Sequence, residues 1–588
     1  MTISVTTRSF DHARTGANAR ELVLTPMAVK SRGVKRALVL QVPDDSRLEA
    51  QPLYLAQMSV LGKKRNVVFQ ATMANFVYAW DGDTGELIWK VQLGPSIKGS
   101  MDIDAHDINI RWGILSTPVI DEAAGRLYVC YWSSDDGSWQ KAQHFVASLD
   151  VLTGKVTHDP LNLEDTEYNP GHGLPVLRFK SMERKQRSAL TLLNGAILIP
   201  FGTIAETGGD ARGWLIAVDI ASWSVAATWC STGKGKGGGI WMSGSGPAVQ
   251  KNGAIWLVTG NGDFDGVHDF GESVVRLKYV APVGGHKGSL TVTGWWSPWT
   301  DDGRIGKNPG GEAIAANLPE RRPSNFRLAP HLARLGMADM GGAWADQDLG
   351  ASGIVLLEEL AIALVSSKDG ILYEIRLDHP GDTTPADLAP NHSAANFAKL
   401  AAPPILYTYF DPAINPAPSD PTALNRFAAN RTRHLHGTPV VWKSTAHGWM
   451  HFCGGENGNL RAWRISANLA SIYLACSEAF ASPESPVPAG GMPGWSIALS
   501  ANGGTGGIVW AMIPYDDANM KLTNSRLLAY DAEEFASFSD GSGKIVPIFD
   551  SQEWAWQLLH PKFNRPVPVD GKVLVPTYGG ELLVLTLT

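Results

Sequence analysis

Two histidines, His434 and His436 in HLHGTPVVW, alternate along the chain, so an extended backbone carries both on one face, as two ligands of a common metal would be. No third ligand is visible beside them, and a structural pair at the start of a strand is the competing reading. Asp102, Asp104 and Asp107 with His106 form an acidic cluster of the kind that holds a divalent ion or simply lies in a solvated loop. Asp81, Asp83 and Glu86 resemble half a calcium loop, although the tight turn they belong to accounts for them. Trp241 follows a glycine run in GGGIWMSGSGP and offers a flat ring, either as a packed aromatic or as a platform. Asn261, between two glycines, reads as a left-handed turn residue or as an oxygen donor. The chain has no HExxH, GxSxG, P-loop or Rossmann fingerprint in a usable context, which argues against zinc proteases, α/β-hydrolases and nucleotide enzymes. Cys130, Cys230, Cys453 and Cys476 are scattered singly, giving neither a CxxC pair nor a CxxCH haem attachment, so any electrons moved leave through a separate acceptor.

These side chains need a scaffold, and the composition restricts its type. With 588 residues the chain is too long for one simple core and must be several domains or one closed repeat architecture. The 62 Gly, 36 Pro and 21 Trp, with hydrophobics at 44% and charged residues at 18%, describe a turn-rich, aromatic-rich globular protein and favour an all-β fold. A net charge of -7 without any block of like charge gives no footprint for nucleic acid or an anionic membrane. No apolar run is long enough for a transmembrane segment, and the first residues carry no export signal.

Along the chain one small pattern keeps returning: a strand ending in an apolar residue followed by Asp or a substitute, a turn, then sometimes a Trp. FVYAWDGDTGELIWK, HFVASLDVLTGKV and RGWLIAVDIASWSVAATW carry it strongly; SVVRL, GILYEIRL, GNLRAWRI, SRLLAYD and GELLVL carry it weakly. A repeat that cannot bury its own faces must stack on its neighbours, and four-stranded blades do so radially. Eight copies predict an eight-bladed β-propeller in a single domain over 1–588, with the N-terminal segment completing the last blade. Two inserts without the signature, about 294–340 and 378–433, are expected to be long loops on one face.

The copies, DGDTGELIW above all, resemble the Trp-docking repeats of pyrroloquinoline quinone (PQQ) proteins. FDHARTGANARELVLTP, HLHGTPVVW, GENGNLRAW and GMPGWSIALSANG are similar to segments of a PQQ-like propeller group whose function is mostly unassigned. Compared with the quinoprotein alcohol dehydrogenases, the resemblance implies a site residue by residue. Glu49, in LEAQPLYL, stands where that family contacts the cofactor, and Arg111, in NIRWG, where it binds a PQQ carboxylate, a role that suits a planar guanidinium. Ser188 and Thr203 fall at hydroxyl positions, and Glu206 at a metal-binding Glu, with Asp210 its rival across a short insertion. Trp241 becomes the floor under the quinone and Asn261 an oxygen donor to the ion. Asp348, in WADQDLGASGIVLL, becomes both metal ligand and catalytic base, with Asp346 the second candidate, and Lys368, in SSKDGILYEI, contacts the quinone oxygens. The chain departs from the family in one place: it has no cysteine between Glu49 and Arg111, and MDIDAHDINIR offers Ala105 and His106 where the family has its vicinal pair.

Two functions follow from the resemblance. One is a PQQ- and Ca2+-dependent dehydrogenase that oxidises an alcohol or a sugar and passes electrons to an external acceptor, with Asp348 taking the hydroxyl proton. The other is a cofactor-free propeller that binds a protein or polymer partner, favoured by the absent cysteine pair and the absent export signal. The family works outside the cytoplasm, which implies a periplasmic or extracellular location.

Overall fold

The computed structural model describes residues 3–60, 62–104, 106, 108–205, 208, 210–297, 299–301, 326–328, 348–368, 372–377, 405–408, 434–467, 469, 471–485, 491–539, 541, 543–554 and 556–588. Strands dominate it. Five sheets are four-stranded, a sixth carries one extra strand, and two more are joined into a nine-stranded sheet by parallel pairing of Cys476 and Ser477 with Lys544 and Ile545. Together these make eight antiparallel blades, beginning at Leu53–Val60, Val119–Asp121, Thr191–Leu193, Ala248–Val249, Ile354–Leu357, Val440–Ser444, Ser496–Asn502 and Val567–Val569. The eighth is completed by Val34–Gln41 from near the N-terminus, which pairs with Glu581–Leu587 at the C-terminus. The protein is therefore an all-β, eight-bladed propeller. The two inserts at 294–340 and 378–433 fall almost wholly outside the described residues.

The recurring turn works as its residue types require. Asp81 Oδ1 accepts the N–H groups of Asp83 at 2.9 Å and Thr84 at 3.0 Å, and Gly85 supplies the positive φ of 78°. Asp81 and Glu86 also pair with Arg65, and Asp83 pairs with Lys572, so this half-loop is occupied by protein cations. Trp89, after the turn, reaches the next blade: its Nε1 donates to Val151 O at 3.0 Å, and its ring leaves no room for a Cβ at Gly154. A large ring wedged between sheets buries apolar area on both, which joins blades that cannot bury their own faces.

The segment before the first blade does more than lead into it. Val5 exchanges backbone hydrogen bonds with Tyr54 of the first blade, and Thr6 O accepts Ile120 N–H of the second. Arg14 reaches Thr191 Oγ1 of the third. His12, Ala13, Thr15 and Gly16 carbonyls accept N–H groups of Val249, Leu356, Val441 and Leu499, in the fourth to seventh, and Asn18 Nδ2 donates to Pro568 O in the eighth. A chain extends at most about 3.3–3.6 Å per residue, so one short stretch can touch every blade only where their first strands converge. Val5–Asn18 is thus a belt around the axis.

Burial sets one pH response. His560 is 2% exposed, bonded to Ser525 Oγ at 2.9 Å, and burial pushes its pKa down to about 3. Its unfolded form takes up a proton near pH 6.5. The stability held in this neutral imidazole is therefore fully present above about pH 6.5 and is lost as the pH falls toward 3. His560→Gln, which does not titrate, is expected to gain on the parent by roughly 1.4 kcal/mol per pH unit through that window, read as the difference in denaturation midpoints.

Candidate functional site at the propeller hub

Two glycine-rich turns meet backbone to backbone near the axis. Gly238 N–H donates to Asn261 O at 2.6 Å and Gly260 N–H to Gly239 O at 2.9 Å. A Cβ at Gly262 would lie 2.3 Å from Gly238 N, so the approach demands glycine. The same packing seats Trp241, because the preceding Ile240 donates its N–H to Phe201 O at 3.1 Å and accepts Ser188 Oγ at 2.9 Å.

Beside the half-buried Trp241 ring stands Asp348, fully buried. Its Oδ1 accepts Asn261 N–H at 2.9 Å, and its Oδ2 accepts Lys368 Nζ at 2.6 Å. Lys368 Nζ in turn lies 5.5 Å from the Trp241 ring centroid. A Cβ at Gly260 would come within 2.4 Å of Asp348 Oδ1, so the carboxylate is pressed against bare backbone. Thr203, Trp241, Asn261, Asp348 and Lys368 line one cavity of about 190 Å³, completed by Lys185, Arg187, Lys562, Asp104 and Phe563 among others. A larger cavity of about 640 Å³, around Gln250, Arg276 and Glu358, gathers no comparable set: Glu358 is turned to the Lys251 N–H at 3.1–3.2 Å.

Among the described residues singled out from the sequence, Glu49, Arg111, Ser188 and Asp210 do not line the hub cavity. Glu49 is buried behind it and accepts from Arg187, from Asn109 Nδ2 at 2.9 Å and from Tyr578 OH at 2.6 Å. Its carboxylate anchors Arg187 and leaves the cavity contact to that residue. Arg111 is exposed on the short strand Arg111–Trp112. Ser188 spends its hydroxyl on Ile240 O, and so supports Trp241 from behind. Glu206, Asp346, Ala105 and Asp107 lie outside the described residues. Asp210 is held by Arg184 at 2.7 Å and Arg212 at 2.8 Å. Within the acidic cluster Asp102 and His106 are exposed, and Asp104 faces Lys562 Nζ at 3.7 Å.

Apart from Lys368, the lining cations Lys185, Arg187 and Lys562 were not legible as site residues in the sequence. Lys185 and Arg187 stand two apart in ERKQRSAL, an alternation that places both on one face of an extended segment. Lys562 carries no comparable signal. Burial opposes ionisation of Asp104, but Lys562, Lys185 and Arg187 overcome it and hold its pKa at about 2. Burial pushes Lys185 down to about 8, with Asp104 opposing that fall. Burial likewise lowers Lys562. Among the described lining residues Lys185, Arg187, Lys368 and Lys562 outnumber the acids Asp104 and Asp348, so the lining favours an anion.

No protein-family model matches the sequence, and no curated protein does. Among solved structures the chain is similar to quinohemoprotein alcohol dehydrogenase ADHIIG from Pseudomonas putida HK5, with a TM-score of 0.49 and 13% identity over 99% of this chain and 80% of that one. It is similar to a europium-containing methanol dehydrogenase, with a TM-score of 0.48 and 10% identity over 99% and 98% of the two chains. It is similar also to BamB from Moraxella catarrhalis, with a TM-score of 0.44 and 7% identity over 94% and 99%. The propeller assignment itself rests on the blades and their closure described above.

Proposed function

We propose that the hub cavity binds a planar, multiply anionic cofactor of the PQQ type, and that the protein is a dehydrogenase of an alcohol or a sugar. The observation that carries this reading is the convergence of an indole face, a buried carboxylate and an excess of cations on one cavity. A half-buried indole favours stacking of a flat ring, and Lys185, Arg187 and Lys562 favour its carboxylates. Trp241 Nε1 has no hydrogen-bond partner among the described residues, which leaves a buried donor for a ligand oxygen. Asn261 and Asp348 supply the amide and carboxylate oxygens that suit Ca2+. Such a quinone, when bound, accepts the two electrons taken from the alcohol. Asp348, fixed by Lys368 and Asn261, is the base that receives the hydroxyl proton; Lys368 orients it, and Trp241 walls the pocket from below. A bound quinone would need an external acceptor to be reoxidised, and the chain carries no CxxCH attachment motif for a covalent haem. The resemblance argues for a periplasmic or extracellular location; among the described residues no helix is long and apolar enough to cross a membrane.

A second reading has its own support. Lys368 already neutralises Asp348 at 2.6 Å. The cavity, about 190 Å³, is below the ~300–1,000 Å³ common for small-molecule sites. On that reading the propeller is cofactor-free and holds a protein or polymer on its loop face.

Adding PQQ and Ca2+ to the purified chain separates the two. The enzyme reading expects stoichiometric uptake, a protein-bound quinone absorbance and dye-linked alcohol oxidation, with Trp241→Ala weakening uptake by roughly tenfold or more. Affinity is expected to fall as the pH rises past about 8, where Lys185 loses its charge. No uptake at stoichiometric cofactor would leave only the scaffold.

A further inference from the structure

We infer that His434, His436 and Glu456 form a binding site for a first-row divalent transition metal such as Zn2+ or Co2+, separate from the oxygen donors Asn261 and Asp348. The histidines precede Val440–Ser444 of the sixth blade, and Glu456 lies in the turn between Gly448–Cys453 and Asn459–Ile465 of the same blade. Glu456 N–H donates to His434 O at 2.9 Å, which fixes one loop on the other. The three side chains are 6%, 1% and 2% exposed.

Their ligand atoms all lie within 4.8 Å of one another. His434 Nδ1 is 3.9 Å from Glu456 Oε2, and His436 Nε2 is 2.8 Å from Glu456 Oε1. Ligands bonded at about 2.0–2.2 Å to a tetrahedral ion stand roughly 3.3–3.5 Å apart, so closing on an ion needs shifts on the order of 1 Å. The third ligand that the His-x-His spacing lacked is thus supplied by a turn some way along the chain.

The donor set selects the ion. Two imidazole nitrogens and a carboxylate suit Zn2+, Co2+ or Fe2+, whereas Ca2+ takes oxygen ligands. Among the described residues no fourth His, Cys, Asp or Glu joins the group, so water or a ligand oxygen completes the shell, as in open metal sites. The site is a neighbour of the hub cavity: the His436 and Trp241 ring centroids are 5.9 Å apart. An ion there adds positive charge beside a pocket already suited to anions. None of this depends on a quinone being bound.

The test uses the full chain, stripped with EDTA and titrated with Co2+ in the absence of any quinone. The expected result is one Co2+ per chain with visible d–d absorption, displaced by Zn2+ and untouched by excess Ca2+. His436→Ala and, separately, Glu456→Gln are each expected to weaken binding by roughly 100-fold or more. Near-UV circular dichroism from the tryptophans checks folding, and if His436→Ala does not fold, the isosteric Glu456→Gln carries the test alone. Substoichiometric Co2+, displacement by Ca2+, or an unchanged Co2+ spectrum in a folded Glu456→Gln overturns the site and leaves a buried His–Glu pair.

Discussion

Arg14→Met is expected to lower the stability of the propeller by roughly 3 kcal/mol or more, since each buried polar group left without a partner costs about 1–3 kcal/mol. The Arg14 side chain is fully buried, and its guanidinium joins elements far apart in sequence. Nε donates to Pro247 O at 3.1 Å, Nη1 to Thr7 Oγ1 at 2.8 Å and Arg8 O at 2.7 Å, and Nη2 to Thr191 Oγ1 at 2.5 Å. Burial pushes its pKa down to about 10, Asp11 opposing, so it still carries its charge and all its donors at neutral pH. Arg14→Lys is expected to fail nearly as badly, because a single ammonium cannot reproduce a planar fork that points three ways. The belt also holds Ser9, Phe10 and Arg14 at φ of 62°, 72° and 62°. Left-handed backbone at non-glycine residues costs about 1–3 kcal/mol each and persists only where surrounding bonds over-determine it. Without Arg14 that strain has a route to relax, and the axial contacts of the belt loosen together. The measurement is the denaturation midpoint or, where unfolding is irreversible, the rate of thermal inactivation. A variant as stable as the parent would mean that the belt merely lies on the axis and does not close it.

How far such features can be read from sequence depends on whether their cause is local. The blade turn is legible because Asp81, Thr84 and Gly85 each do their work within a few residues, and Trp89 announces the wedge. The belt is not, because it acts mainly through carbonyl oxygens at His12, Ala13, Thr15 and Gly16, and every residue has one. In the hub, Trp241, Asn261, Asp348 and Lys368 stand beside glycine or turn motifs that mark close backbone approach, and they do line one cavity. Glu49 is hard to place from sequence because a buried acid next to the axis can face either the cavity or a cation of its wall, and the position of Arg187 decides which. Glu456 is the hardest case: it comes beside the histidines through the antiparallel pairing of Val440–Ser444 with Gly448–Cys453, extended by the backbone bond to His434, and neither histidine lies near it in sequence.

Lys368→Met is expected to cost roughly 3–5 kcal/mol, because it leaves the fully buried Asp348 carboxyl without its cation. Asp348→Leu strands Lys368, itself 8% exposed, and is expected to cost a similar amount. Combining the two substitutions removes both charges at once, and most of the loss is expected to return, since apolar replacement of a buried ion pair is often neutral or better. The cycle also separates structure from chemistry. If the pair only braces the hub, the double variant keeps its fold and takes up PQQ as the parent does. If Asp348 serves the chemistry, as base or as Ca2+ ligand, the double variant folds and retains the stacking contact on Trp241 but shows no dye-linked alcohol oxidation, because no carboxylate remains there to receive the hydroxyl proton or to hold the ion. Turnover persisting in a folded double variant would exclude Asp348 from the chemistry, and the proton acceptor would then have to be sought among the other groups lining the cavity, where among the described residues Asp104 is the remaining carboxylate.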